Sequence, residues 1–163
     1  MLRLDGLEIR QGSFCLRADL AIAEGQIVAL LGPSGAGKSS LLDVIAGFLA
    51  PDRGRVLWRG HDLGALAPGE RPLSILFQDN NLFPHLSAAQ NVGLGLRPDL
   101  RLSPDQASQV EAALARVGLE GLGPRKPAAL SGGQRSRVAL ARMLLRAKPL
   151  MLLDEPFAAL GPA

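Results

Sequence analysis

The sequence predicts an α/β fold, and three features along the chain support this prediction. Residues 27–31 form a short apolar run typical of a buried parallel strand, and residues 40–46 continue as a helix that Gly47 is placed to end. Residues 87–127 are predicted to form a small helical insert. Further apolar runs do not alternate regularly with helices, which favours antiparallel strands around the strand at residues 27–31; they cover residues 2–9, 14–22 and 55–59.

A glycine-rich loop lies between the predicted strand and helix. It matches the pattern G-x-x-x-x-G-K-[ST] with Gly32, Pro33, Ser34, Gly35, Ala36, Gly37, Lys38 and Ser39. Glycines let the backbone turn its N–H groups towards an anion, and the start of a helix adds partial positive charge. Lys38 is expected to reach the β- and γ-phosphates of a nucleotide, and the Ser39 hydroxyl to bind Mg²⁺. A turn without a ligand is the alternative, but the flanking strand and helix favour a nucleotide-binding P-loop.

A second motif, Leu130–Gln134, precedes a helix predicted to run through Arg146. Ser131 and Gln134 have the spacing of a capping box, and a capped helix without a ligand would explain that spacing alone. However, adjacent glycines in a first helical turn cost about 1 kcal/mol each relative to alanine. Bare backbone at a helix N-terminus suits the close approach of an anion. We therefore expect a second anion site at Gly132 and Gly133.

The third motif is an apolar run that ends in two carboxylates, over residues 150–156. This pattern is typical of a Walker B strand, in which Asp154 would organise the Mg²⁺ shell. Glu155 would polarise a water for attack on the γ-phosphate. An acidic strand end facing solvent is the alternative interpretation, but the P-loop elsewhere in the chain favours the catalytic one.

Composition excludes several classes of protein. The 163 residues suffice for one domain, no apolar run is long enough to span a bilayer, and the first residues lack a secretory signal. Cys15 is the only cysteine, so no intrachain disulfide can form, which suits a reducing cytoplasm. The net charge is +3 and basic and acidic residues are interspersed, so nucleic-acid binding is not indicated.

The order and spacing of these motifs resemble the ATP-binding subunits of ABC transporters. The resemblance rests on the P-loop, Gln78 at the end of an apolar run, Leu130–Gln134 and residues 150–156. Within that family, residues 71–83 and 89–96 are most similar to the subunits of bacterial thiamine importers. The implied fold is a P-loop NTPase (RecA-like) core with an antiparallel β subdomain and an inserted helical subdomain. The implied divisions are residues 1–86 for the core and β subdomain, 87–127 for the helical subdomain, and 128–163 for the signature helix and Walker B strand.

The resemblance also implies cofactors and residue roles. ATP and Mg²⁺ would be bound, with residues Gly32 to Ser40 holding the nucleotide. Gln78 would contact Mg²⁺ or the attacking water. A further set would cover the γ-phosphate of ATP bound to the opposite subunit of a head-to-tail homodimer, namely Ser131, Gly132, Gly133 and Gln134.

The implied function is ATP hydrolysis that energises import of thiamine or thiamine phosphates. A transmembrane permease would dock in a groove near Gln78 and the helical insert, and a periplasmic substrate-binding protein would act indirectly. The protein would lie at the cytoplasmic face of the inner membrane as a peripheral subunit. Two alternatives stay open at this point: a truncated ABC protein that does not hydrolyse ATP, and a soluble ABC ATPase acting on nucleic acid.

Several positions depart from the family pattern. The aromatic position that stacks on adenine falls on Gln11; Phe14 is a nearby candidate, although core packing is its expected role. Gly161 replaces an acidic residue after the Walker B strand. The sequence ends before the family's switch histidine, and two other histidines are expected in surface or turn positions that cannot replace it, His61 and His85. We therefore expect a chain shorter than the family's usual length.

Overall fold

A computed structural model describes residues 1–79 and 81–155. These residues divide into two compact units, of which the first is Met1–Leu73 and the second begins at Ser74. The P-loop lies in the first unit, and the other two motifs lie in the second. The division of the chain into residues 1–86, 87–127 and 128–163 stays a prediction.

The first unit contains a four-stranded antiparallel sheet in the order β2-β1-β3-β4. A register shift between Leu4 and Leu7 interrupts β1. The shift changes which face successive residues occupy, so that Leu2 and Leu4 before it and Leu7 and Ile9 after it are all buried. The strands are β1 (Leu2–Gln11), β2 (Phe14–Ile22), β3 (Arg53–Trp58) and β4 (His61–Asp62).

Helix α1 (Lys38–Ala46) directly follows the P-loop and ends where the sequence predicts. Gly47 adopts a left-handed conformation with φ of 90° and closes the helix through its N–H group. Arg71 donates hydrogen bonds from Nη1 to the carbonyl oxygens of Val44 (2.9 Å) and Ile45 (2.8 Å). A buried cation therefore caps the negative end of the helix whose other end is the P-loop.

The predicted strand at residues 27–31 is wrong for this structure. These residues are in no strand, and Ile27 and Leu31 are 100% and 92% exposed. A strand exists only when a neighbour accepts its ladder of backbone hydrogen bonds, and no described strand pairs with this segment. The apolar run thus predicts a tendency to be buried but not the partner that would bury it.

The second unit combines a two-stranded sheet, β5 (Leu73–Leu76) and β6 (Leu150–Leu153), with helices. One core cluster joins side chains from all three α-helices, including the fully buried Val92, Leu114 and Val138. In the described residues no helix is long and apolar enough to cross a membrane. The helices are α2 (Ala88–Gly93), α3 (Pro104–Arg116) and α4 (Gly132–Leu145), with a 3₁₀ turn at Pro127–Ala129.

Capping boxes begin the three α-helices that the structure describes in the second unit. In each, a serine side chain accepts a hydrogen bond from the backbone of a glutamine three residues later, and that glutamine side chain bonds back to the serine backbone. The predicted starts after Ser87, Ser103 and Ser131 are confirmed, as is a helix end just before Gly118, whose φ is 69°.

Candidate functional site

The P-loop is an exposed turn that leads into α1. Gly35 and Gly37 have φ values of 78° and 84°, conformations that residues with side chains seldom adopt. Gly37 is the N-cap of α1, so the free N–H groups of the first helical turn begin at this point. The loop therefore has the backbone geometry of an anion-binding nest.

Lys38 folds back over the loop. Its Nζ donates to the carbonyl oxygens of Gly32 (3.0 Å) and Pro33 (2.8 Å). An ammonium group has three N–H donors, so one donor remains for a phosphate oxygen while the two carbonyls hold the side chain over the loop. The lysine and the N-terminus of α1 thus bring positive charge to the same place.

The ends of β5 and β6 bring the predicted catalytic residues of the second unit to one edge of the sheet. The N–H of Asp154 donates to the carbonyl oxygen of Leu76 at 2.9 Å. Gln78 lies two residues after Leu76, and Glu155 follows Asp154, so all three residues follow strand ends that this hydrogen bond joins. Glu155 has a left-handed backbone with φ of 44°, a conformation that is common at functional sites. Carboxylate and amide oxygens at this edge are the donors that Mg²⁺ prefers.

The signature helix α4 presents its two glycines at its N-terminus. Ser131 and Gln134 are occupied by the capping box, with Gln134 Oε1 accepting from Ser131 N at 2.9 Å. The first-turn N–H groups of a helix have no partner within the helix, and Gly132 and Gly133 present theirs without a side chain in front. Arg137 braces this turn, since its Nη1 donates at 3.1 Å to the carbonyl oxygen of Val117 after α3.

A cleft of about 360 Å³ lies between the segment after β5 and the start of α4. Its lining mixes an amide, a carboxylate and a guanidinium with two apolar side chains. These residues are Gln78, Asp79, Leu82, Pro127 and Arg135. The groove predicted near Gln78 and the helical insert thus has a counterpart in the second unit.

Two supporting residues escape the sequence analysis. Arg71 caps α1, as described above. Asn91 is fully buried and its side chain holds the loop before α2, accepting from Phe83 N at 2.8 Å and donating to three carbonyl oxygens, those of Phe83, Leu86 and Ser87. Arg71 belongs to no local pattern, because Val44 and Ile45 lie 27 and 26 residues before it and become its neighbours only on folding. The partners of Asn91 lie only four to eight residues before it, so its signal is local, but it matches none of the patterns used above.

The remaining predicted residues lie on the surface or outside the described residues. His61 is exposed in β4 and His85 is exposed in a turn, as expected. Gln11 is exposed at the end of β1. Pro156 of the third motif, the glycine at position 161 and Asn80 lie outside the described residues.

Comparison with known proteins assigns the family. The sequence pattern of the ABC transporter family matches residues 16–158. The chain belongs to this family. The predicted resemblance is therefore confirmed.

Proteins of known name and structure agree with this assignment. The thiamine import ATP-binding protein ThiQ of Cereibacter sphaeroides is 63% identical over 163 residues, which are all of this chain and 71% of that protein. The protein of the same name from a Ruegeria species is 60% identical over the same length, again 71% of its own chain.

Solved structures confirm the predicted fold class. A dimeric structure of the bacterial ABC transporter cassette MJ0796 superposes with a TM-score of 0.85 at 33% identity, covering 98% of this chain and 76% of its own. A dimeric post-hydrolysis state of that cassette, bound to ADP and Pi, gives the same TM-score at 32% identity, covering 98% and 75%. The fold is that of an ABC ATPase.

Proposed function

We propose that this chain is the ATP-binding and ATP-hydrolysing subunit of a bacterial importer for thiamine or thiamine phosphates. The observation that carries the proposal is the 60–63% identity, over the whole chain, to proteins named for thiamine import and ATP binding. At this identity the motif residues would perform the same chemistry in this chain.

The nucleotide would bind at the P-loop through residues 32 to 40. The backbone N–H groups at Gly35, Gly37 and the start of α1 would surround the β-phosphate, because their left-handed turns create a concave set of donors. Lys38 would add the positive charge for the β- and γ-phosphates, and Ser40 would complete the set at the third position of α1.

Hydrolysis would depend on the edge formed by β5 and β6. Glu155 would accept a proton from the attacking water, while Gln78 would orient that water. The Ser39 hydroxyl of the first unit and, in the second unit, Asp154 and Gln78 each carry hard oxygen donors of the kind that Mg²⁺ prefers. When bound, the ion would neutralise charge on the phosphate oxygens during transfer.

The signature helix would act on a second copy of the chain. The bare N–H groups of Gly132 and Gly133 would approach the γ-phosphate bound by the partner, with Ser131 and Gln134 at the same turn. A head-to-tail homodimer would thus hold two nucleotides at its interface. The dimeric state of the similar cassette supports this arrangement.

The partner that senses hydrolysis would be the membrane permease of the importer. The mixed polar and apolar cleft near Gln78 is suited to a short helix of that permease, since such a helix carries both kinds of side chain. The chain would then sit at the cytoplasmic face of the inner membrane. The periplasmic substrate-binding protein would act only through the permease, and no nucleic acid would take part.

Uptake of labelled thiamine tests this proposal. The source bacterium would have its gene for the full chain deleted and then restored as wild type, as Glu155→Gln or as Lys126→Ala. We expect uptake with the wild type and with Lys126→Ala, whose lysine lies outside all three motifs, and a loss of at least tenfold with Glu155→Gln. Uptake that survives deletion of the gene, or that Glu155→Gln supports normally, would reject the proposal.

A further inference from the structure

Two side chains of β2 pack on the last glycine of the P-loop. A methyl group added at Gly37 would place its carbon 2.5 Å from Phe14 Cζ and 2.8 Å from Leu16 Cδ1. Carbon atoms do not approach each other so closely, because the optimal separation is about 3.5–4.0 Å. The α-carbon of Gly37 therefore already touches both side chains, and no side chain could be accommodated between them.

The sheet gives this contact a firm base. Phe14 and Leu16 alternate along β2 and so share one face. They pair with Gln11 and Ile9 of β1, and β1 is itself paired on its other side with β3. By contrast, residues 26–33, which lead into the P-loop, are in no helix or strand. The two β2 side chains thus connect the loop with the sheet at Gly37, where α1 begins.

We propose that Phe14 and Leu16 are positioning residues for phosphate binding. They hold Gly37 in the left-handed conformation that directs the N–H groups at the start of α1 towards the anion. If the contact is lost, the ligand must order the loop itself, and part of the binding free energy is used in doing so. The inference rests on the proposed function, since it concerns the same loop.

The inference also distinguishes two roles for Phe14. A ring that stacks on the nucleotide base would affect only ligands that contain a base. A ring whose tip, Cζ and Cε1, packs against Gly37 affects every ligand that binds through its phosphates. Tripolyphosphate retains the phosphates and lacks the base, so it separates the two roles.

Calorimetric titration with MgATP and with magnesium tripolyphosphate provides the test. We expect Phe14→Ala to weaken both ligands by the same factor, about tenfold, which corresponds to the loss of a modest ordering contribution. Leu16→Ala keeps the ring and removes the other contact, so it should weaken both ligands in parallel even if Phe14→Ala fails to fold. The matched control is Leu20→Ala, which lies on the same face of β2 but six residues beyond Phe14, and it should change neither affinity.

The other outcomes are distinct. A loss of MgATP affinity in Phe14→Ala with unchanged tripolyphosphate affinity would assign the ring to the base and overturn the inference. Unchanged affinity for both ligands in Phe14→Ala and Leu16→Ala would also overturn it. Wild-type chain that binds neither ligand would reject the proposed function itself, and the inference with it.

Discussion

Position 37 requires a left-handed backbone and leaves no room for a side chain, and only glycine meets both requirements. Its φ of 84° is strained for any residue with a side chain, and its α-carbon touches Phe14 and Leu16. Gly35 provides a natural comparison, because its φ of 78° is similar but a methyl group there would meet nothing within 4 Å. Alanine substitutions at the two positions therefore distinguish the cost of backbone strain from the cost of close packing.

Gly37→Ala should destabilise the chain more than Gly35→Ala. We expect about 1–2 kcal/mol for Gly35→Ala from left-handed strain alone. We expect roughly 2–5 kcal/mol for Gly37→Ala, where overpacking against the ring adds to the strain. Urea denaturation of both variants measures the difference, and equal losses would show that the ring moves aside without cost.

Asn91 contributes to the stability of the folded chain through four hydrogen bonds of its side chain. Asn91→Leu would leave the Phe83 N–H and three carbonyl oxygens without this side chain, at a cost of roughly 3 kcal/mol. Asn91→Asp keeps the acceptor for Phe83 N but loses the amide donors to the three carbonyl oxygens. The retained hydrogen bond lowers the loss of stability, whereas an unpaired charge in a buried site increases it. Thermal unfolding of both variants tests this, and a Tm within 2 °C of wild type for Asn91→Leu would contradict it.

At the scale of elements, the signature helix can be altered without touching the P-loop. Gly133→Asp adds a carboxylate near the N-terminus of α4, which the helix dipole tolerates but which would repel a phosphate from the partner. We expect MgATP-dependent dimerisation, measured by sedimentation, to be lost. Binding of MgATP to the monomer should stay within about twofold, a change of only about 0.4 kcal/mol, because the substitution leaves the P-loop residues unchanged.

Gly133→Ala is the matched control, since it adds bulk without charge. It should weaken dimerisation less than Gly133→Asp does. If monomer affinity falls as much as dimerisation in Gly133→Asp, the signature helix does not act on a partner's nucleotide.

The antiparallel sheet has a pH-sensitive link at its edge. Hydrogen bonds from Arg59 and from the N-terminal amine lower the pKa of Glu24 from 4.5 to about 2. The charged form is therefore favoured in the folded chain, so the contribution of Glu24 is complete above pH 4.5 and disappears as the pH falls towards 2.

Denaturation of wild type and Glu24→Gln between pH 7 and pH 3 measures this link. The wild type should be the more stable at pH 7, by a small amount that salt reduces because the carboxylate is exposed. The difference should shrink below pH 4.5, because the carboxylate of the unfolded chain takes up a proton there while that of the folded chain stays charged until about pH 2. A difference that stays constant over this range would contradict the assignment.

Local signals account for the elements that the sequence predicts well. A serine followed by glutamine three residues later marks the start of α2, α3 and α4 because both partners of the capping box lie within one turn. Residues 27–31 fail for the opposite reason: a strand needs a distant neighbour, and hydrophobicity does not identify one. Arg71 was missed on the same grounds, since it binds backbone carbonyls 26 and 27 residues away that only the fold brings near.

At the scale of the molecule, the three motifs are divided between the two units. The P-loop belongs to Met1–Leu73, whereas Gln78, the signature helix and the Walker B carboxylates follow Ser74. The sequence-based division instead places Gln78 with the P-loop in residues 1–86, and that division stays a prediction. The proposed function depends first on whether the P-loop binds nucleotide.

Titration of the chain with MgATP, followed by calorimetry, tests that claim most directly. The sequence has three lysines, and Lys126 is exposed and outside the motifs, so Lys126→Ala is the control for Lys38→Ala. Circular dichroism should show the same fold in all three proteins. We expect wild type and Lys126→Ala to bind MgATP alike and Lys38→Ala to bind at least about tenfold more weakly, since each tenfold corresponds to only about 1.4 kcal/mol of lost charge interaction. Equal binding by Lys38→Ala and wild type would contradict the assignment of this loop to the nucleotide phosphates.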